Sequence, residues 1–112
     1  MEPCSSRLRI PTRDGAIFIE YNEILQIKVE GSYSKLYCER GVVYLVSMNL
    51  HELEGKLPTS HFFRCHHSNL VNLTKVKQVF KHNGHRVLLV SGESIQVSHR
   101  KWAALVAAVE HL

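Results

Sequence analysis

The chain has 112 residues, 45% of them hydrophobic and 21% charged, which suits one domain with a small core. No apolar run approaches the ~20 residues of a membrane span, and Met-Glu-Pro-Cys-Ser-Ser-Arg at the start leads into no secretory signal. A formal charge of +4 favours an anionic partner without choosing between nucleic acid and lipid, and three widely spaced cysteines, Cys4, Cys38 and Cys65, suit a reducing cytoplasm better than a disulfide framework.

Residues 1–6 carry no pattern and read as a flexible lead-in, leaving 7–112 as a single domain. Arg7 to Ile10 alternates polar and apolar residues as a short strand does. Pro11 ends its pairing or sits on an edge, and Arg13-Asp14-Gly15 turns the chain into a returning strand from Ala16 to Glu20. Ile24 to Glu30 alternates with Leu25, Ile27 and Val29 on one face. Gly31-Ser32 breaks it, Tyr33 to Glu39 alternates again, and Arg40-Gly41 leads into Val42 to Met48. The three strands read as an antiparallel meander. Asn49 to Leu57 is the first helix. Asn49 and Glu52 have capping-box spacing, Leu50, Leu53 and Leu57 share a face, and Pro58 stops it.

The stretch Phe62-Phe63-Arg64-Cys65-His66-His67-Ser68-Asn69-Leu70-Val71-Asn72-Leu73 has apolar ends and a polar middle. It reads as two short strands held in a core around a turn offered outward. Val76 to His82 and Arg86 to Val90 form a hairpin about Asn83-Gly84, the strongest short turn signal in the chain. Gly92-Glu93 turns into Ser94 to Ser98. The last helix runs from about His99 to His111, with Ser98 as N-cap and Trp102, Leu105, Val106 and Val109 as its apolar stripe. The reading is a mostly β fold of small antiparallel sheets, with one short central helix and a C-terminal helix.

The central run resembles the core motif of the LytTR family, the DNA-binding domain of many bacterial response regulators. Phe62, Arg64, His66, Ser68, Val71 and Asn72 match it in register, and His67 stands where arginine is commonest. Ile27 to Lys35 is similar to the family's strand ending in Glu-x-x, an aromatic and a basic residue. Val97-Ser98-His99-Arg100 is similar to its Ser-x-Arg step before the last helix. The likeness runs from about Ile10 to Leu112. It implies sheets arranged in sequence, and loops from several strands placed in successive grooves of duplex DNA.

Neither helix suits a major groove, since the first carries Glu52 and Glu54 and the last is basic only at His99-Arg100-Lys101. Contact is therefore expected from three places. Ser34 and Lys35 follow the Gly31 turn, where Lys35 can reach a phosphate or a guanine; an ordinary solvated hairpin would look the same. In the central run His67 occupies the family's base-contacting position, Asn69 can serve a base or a phosphate, and Arg64 pairs with an acid or touches phosphate. His66 reads as a structural histidine, and Ser68 and Asn72 as turn formers bonding to backbone. At the start of the last helix Arg100 aligns with the family's contacting arginine, with Lys101 beside it, and free amides there attract phosphate.

A metal site is disfavoured, because Cys65 and His66 are neighbours on a strand and no Cys-x-x-Cys accompanies them. No catalytic motif is present, so no enzyme activity and no cofactor is expected. The charged surroundings of Cys65 leave open a lowered thiol pKa and a redox effect on binding. The expected function is sequence-specific binding of double-stranded DNA, regulating transcription as a response-regulator effector domain in the cytoplasm. The resemblance further implies paired direct repeats, a homodimer on DNA and a receiver domain in the parent protein. A protein-interaction or sensory β-domain is the alternative, and a single-strand binder stacking bases on Tyr33, Tyr37 and Tyr44 is another.

Overall fold

The computed structural model describes residues 6–112. Its strands form three antiparallel sheets. β1 (Arg7–Thr12) and β2 (Gly15–Glu20) make a hairpin. β3 (Ile24–Glu30), β4 (Tyr33–Cys38), β5 (Val43–Val46), β6 (Phe62–His66) and β7 (Asn69–Asn72) form a five-stranded sheet in the order β5-β4-β3-β7-β6. β8 (Val76–Lys81), β9 (His85–Leu89) and β10 (Ser94–Val97) make a three-stranded meander. The helices are α1 (Leu50–Lys56) and α2 (Trp102–Glu110); no helix of the described residues is long and apolar enough to cross a membrane.

The five-stranded sheet carries a core on each face. Ile27, Leu36, Leu70 and Val46 pack against Leu8, Ile10 and Ile19 of the first hairpin and against Leu50 and Leu53 of α1. On the other face Leu25, Cys65 and Val71 meet Val87, Leu89, Ile95 and Val97 of the meander and Leu105 of α2. A central strand buried on both sides is apolar at consecutive positions, and Ile24, Leu25 and Ile27 are so placed, with the buried polar Gln26 between them.

Local chemistry explains most boundaries. Asn49 accepts from the Glu52 amide at 2.8 Å, and the Glu52 carboxylate accepts from the Asn49 amide at 3.1 Å, closing the expected capping box. Gly31 takes φ +62° in the turn between β3 and β4, and Asn83 and Gly84 both take positive φ between β8 and β9. Pro11 lies within β1, paired to Ala16 in a two-stranded sheet whose outer edges are open, where a missing N–H costs nothing.

Three expectations are corrected. Leu25 does not share a face with Ile27 and Val29: a bulge between Ile24 and Gln26 shifts the alternation by one, sending Leu25 to the second core. The strand expected over Val42 to Met48 is only β5, Val43–Val46. The last helix is preceded by a 3-10 turn over His99–Lys101, and Ser98 makes no side-chain cap. The flexible lead-in lies outside the described residues except for Ser6, whose carbonyl accepts from the Tyr21 amide at 2.9 Å.

Trp102 docks α2 half-buried in the second core, its ring 4.7 Å from that of His85, which stacks in turn at 5.2 Å on His99. Because the indole is only part-buried, Trp102→Ala is expected to cost about 2 kcal/mol, below the range for fully enclosed aromatics. Urea unfolding checks this, and a variant as stable as the parent would show that the indole does not anchor α2.

Candidate nucleic-acid interface

The turn between β6 and β7 is braced from three sides. The Arg64 guanidinium donates to the His67 carbonyl at 2.8 Å and to the Glu54 carboxylate of α1 at 3.3 Å. The Ser68 amide donates to His66 Nδ1 at 3.4 Å, and the Ser68 hydroxyl lies 3.1 Å from the same nitrogen. An accepting Nδ1 leaves the proton of a neutral His66 on Nε2. The Ser68 carbonyl accepts from the Val29 amide at 2.9 Å, tying the turn to β3. Arg64 and His66 thus hold the turn, while His67 is exposed at its tip with its ring 4.3 Å from that of His66.

A backbone bond from the Ser98 amide to the Cys65 carbonyl, 2.9 Å, draws the chain before the last helix against β6. It creates an open cleft of about 340 Å³ lined by Arg64, His66, His67, Ser98, Arg100 and Lys101. Two segments expected to contact DNA, remote in sequence, share this cleft. No carboxylate lines it, and among the described residues neither Arg100 nor Lys101 is in an ion pair.

The first motif lands elsewhere. Ser34 is fully buried and its hydroxyl donates to the Met48 carbonyl at 2.6 Å. It lies opposite Val29 and Val46 on the first-core face, so it cannot meet a ligand from solution. Lys35 is on the other face, part-exposed and paired with Glu30 at 3.3 Å. Asn69 is half-buried on that same face, and its buried Oδ1 has no hydrogen-bond partner. Opposite both Lys35 and Asn69 stands the exposed Lys28, which the sequence reading passed over as a strand residue. The polar side of the β3 alternation was its signal.

Two further expectations are narrowed. At the last cluster the Lys101 amide is bonded to the Ser98 carbonyl and that of Trp102 to the His99 carbonyl, so any free amides at this turn are those of His99 and Arg100. The tyrosines do not form one stacking platform. Tyr33, 49% exposed, and Tyr37 share a face of β4, while Tyr44 lies opposite Leu36 against the first core.

Cys65 is fully buried, and burial pushes its thiol up from 9.0 to about 11, against weaker opposing effects of a backbone hydrogen bond and Lys101. The lowered pKa needed for a redox role is therefore not found. A thiol whose folded-state pKa is raised stabilises the fold fully below its unfolded value, and that contribution is lost as pH rises through about 11. Unfolding free energy is expected to fall over that window, and less so in Cys65→Ala. Peroxide treatment of the native protein is expected to leave ligand affinity unchanged; a loss abolished by Cys65→Ala would reinstate a redox role.

Fold and cleft together define a small β-rich domain that offers a braced cationic cleft, without a recognition helix, to an anionic ligand. The LytTr DNA-binding domain family matches residues 14–110, and the chain belongs to that family. A solved LytTr DNA-binding domain from Bacillus cereus has the same fold, with TM-score 0.75 and 23% identity over 96% of this chain and 99% of that one. Transcriptional regulatory protein YpdB of Escherichia coli is 40% identical over 58 residues, 52% of this chain and 23% of that protein. Sensory transduction protein LytT of Enterococcus faecalis is 26% identical over 98 residues, 86% of this chain and 40% of that protein. The chain thus spans under half the length of these relatives.

Proposed function

We propose that residues 7–112 act as one domain that binds double-stranded DNA at a specific sequence and so regulates transcription. The observation that carries this reading is the meeting of His67, Arg100 and Lys101 on one cleft that no carboxylate lines. Arg100 is the base reader, since its fork matches guanine O6 and N7. His67 reads a neighbouring base, Lys101 holds phosphate, and Asn69 serves the flank. Arg64 acts indirectly, by fixing the His67 backbone. Ser34 is withdrawn from the contact set because it is buried.

The regulatory names of YpdB and LytT, both longer than this chain, support a role as the effector part of a response regulator. In that setting the domain works in the cytoplasm beside a receiver domain, needs no cofactor, catalyses nothing, and binds as two copies on paired direct repeats.

Selection from a random duplex library, followed by salt-titrated affinity on the winners, tests the reading. A short enriched motif, repeated at fixed spacing, is the expected result. Uniform weak binding to every duplex would instead leave an interaction domain with generic charge. Lys101→Ala is expected to weaken binding equally across sequences and to lower the salt slope by about one unit. A change in sequence preference would make Lys101 a base reader.

A further inference from the structure

The five-stranded sheet carries a polar row that runs out of the cleft. His66 on β6 is paired with Asn69 on β7 just past a bulge at Cys65, Asn69 is paired with Lys28 on β3, and Lys28 with Lys35 on β4. Residues directly opposite in an antiparallel ladder share a face, so the four side chains line one face in sequence across the strands. The row spans three strand spacings, about 14 Å at the usual separation. That is close to the ~12 Å width of a B-DNA major groove.

Two features mark the lysine end as a binding surface. Lys28 and Lys35 stand directly opposite each other, an arrangement of like charges that costs stability unless an anion lies over it. Only Lys35 has an internal counter-charge, Glu30 at 3.3 Å, and among the described residues Lys28 has none. Glu93 stands across a shallow depression from Lys28, beside Ser94 and Gln96 of β10, so the cationic strip is bounded on that side.

We propose that Lys28 and Lys35 form a phosphate ledge. While the cleft at His67 and Arg100 reads base edges in a major groove, the two ammonium groups hold the sugar-phosphate chain on the groove's far side. Glu30 competes with that phosphate for Lys35 in the free protein. This inference rests on the DNA-reading function proposed above and adds to it a second, sequence-blind contact on the sheet face.

The test is a titration of a selected duplex at several salt concentrations, using the whole chain and its Lys28→Ala, Lys28→Ala/Lys35→Ala, Lys28→Arg and Glu30→Gln variants. Lys28 is exposed, so these changes leave the cores intact, which thermal unfolding verifies. The double variant is expected to lower the slope of log affinity against log salt by about 1.8, roughly 0.9 for each lost phosphate contact, with the ranking of duplex sequences unchanged. Lys28→Arg keeps the slope, and Glu30→Gln tightens binding a few-fold. Specific binding with an unchanged slope in the double variant overturns the ledge and leaves the cleft standing. A changed sequence ranking in the double variant also overturns it, by making the ledge a base reader. Absence of specific duplex binding by the unsubstituted chain overturns the cleft reading and the ledge together.

Discussion

Replacing Arg100 by alanine is expected to weaken binding to a selected duplex by about 1–3 kcal/mol and to relax the preference at one base pair. The guanidinium lines the cleft with no carboxylate to neutralise it, and its 3-10 turn is held against β6 by the Ser98–Cys65 backbone bond at 2.9 Å. The fork is thus presented from a fixed backbone, and the ordering left to be done on binding is that of the exposed side chain itself. Arg100→Lys is expected to recover the charge but not the preference, since an ammonium cannot bond two guanine acceptors in one plane. Affinity measured on duplexes altered one base pair at a time gives the result. An equal loss on all of them would assign Arg100 to phosphate.

Asn72→Ala is expected to destabilise the fold by about 2 kcal/mol, because it strips the buried Ile24 carbonyl and the part-buried Thr74 amide of a partner at once. The side chain is 1% exposed. Its amide donates to the Ile24 carbonyl at 2.8 Å and to that of Tyr21 at 3.4 Å; its oxygen accepts from the Thr74 amide at 3.0 Å and the Thr74 hydroxyl at 2.7 Å. One residue thereby joins the end of β7, the start of β3 and the turn before β8. Asn72→Asp is expected to be worse at neutral pH, since it buries a carboxylate facing the two carbonyls. Urea unfolding measures both, with the denaturant slope showing whether each variant still unfolds in one step. Asn72→Ala within about 0.5 kcal/mol of the parent would show that other groups satisfy those atoms.

The residues that carried the sequence reading furthest act locally. Asn49 and Glu52 declare a helix start three residues apart, Asn83-Gly84 declares a hairpin, and both are found in place. The motif from Phe62 to Asn72 was readable for the same reason: strand, turn and strand lie within a dozen residues; the His66 ring and the Asn72 side chain bond to backbone there, while the Ser68 hydroxyl meets the His66 ring instead of backbone. Ser34 shows where likeness to a motif misleads. Its place in the alternation already grouped it with Leu36 and Cys38, and the buried face claimed it.

The elements, their turns and the family membership could be read along the chain, because capping, alternation and turn chemistry involve residues a few positions apart. The cleft could not. It exists because β7 pairs with β3 as well as with β6, and because the Ser98 amide finds the Cys65 carbonyl. The row from His66 to Lys35 likewise comes from registers between four strands. Both depend on how a sheet with two buried faces closes its cores, an energy summed over contacts remote in sequence, and a single bulge at Leu25 was enough to exchange the faces that simple alternation had assigned.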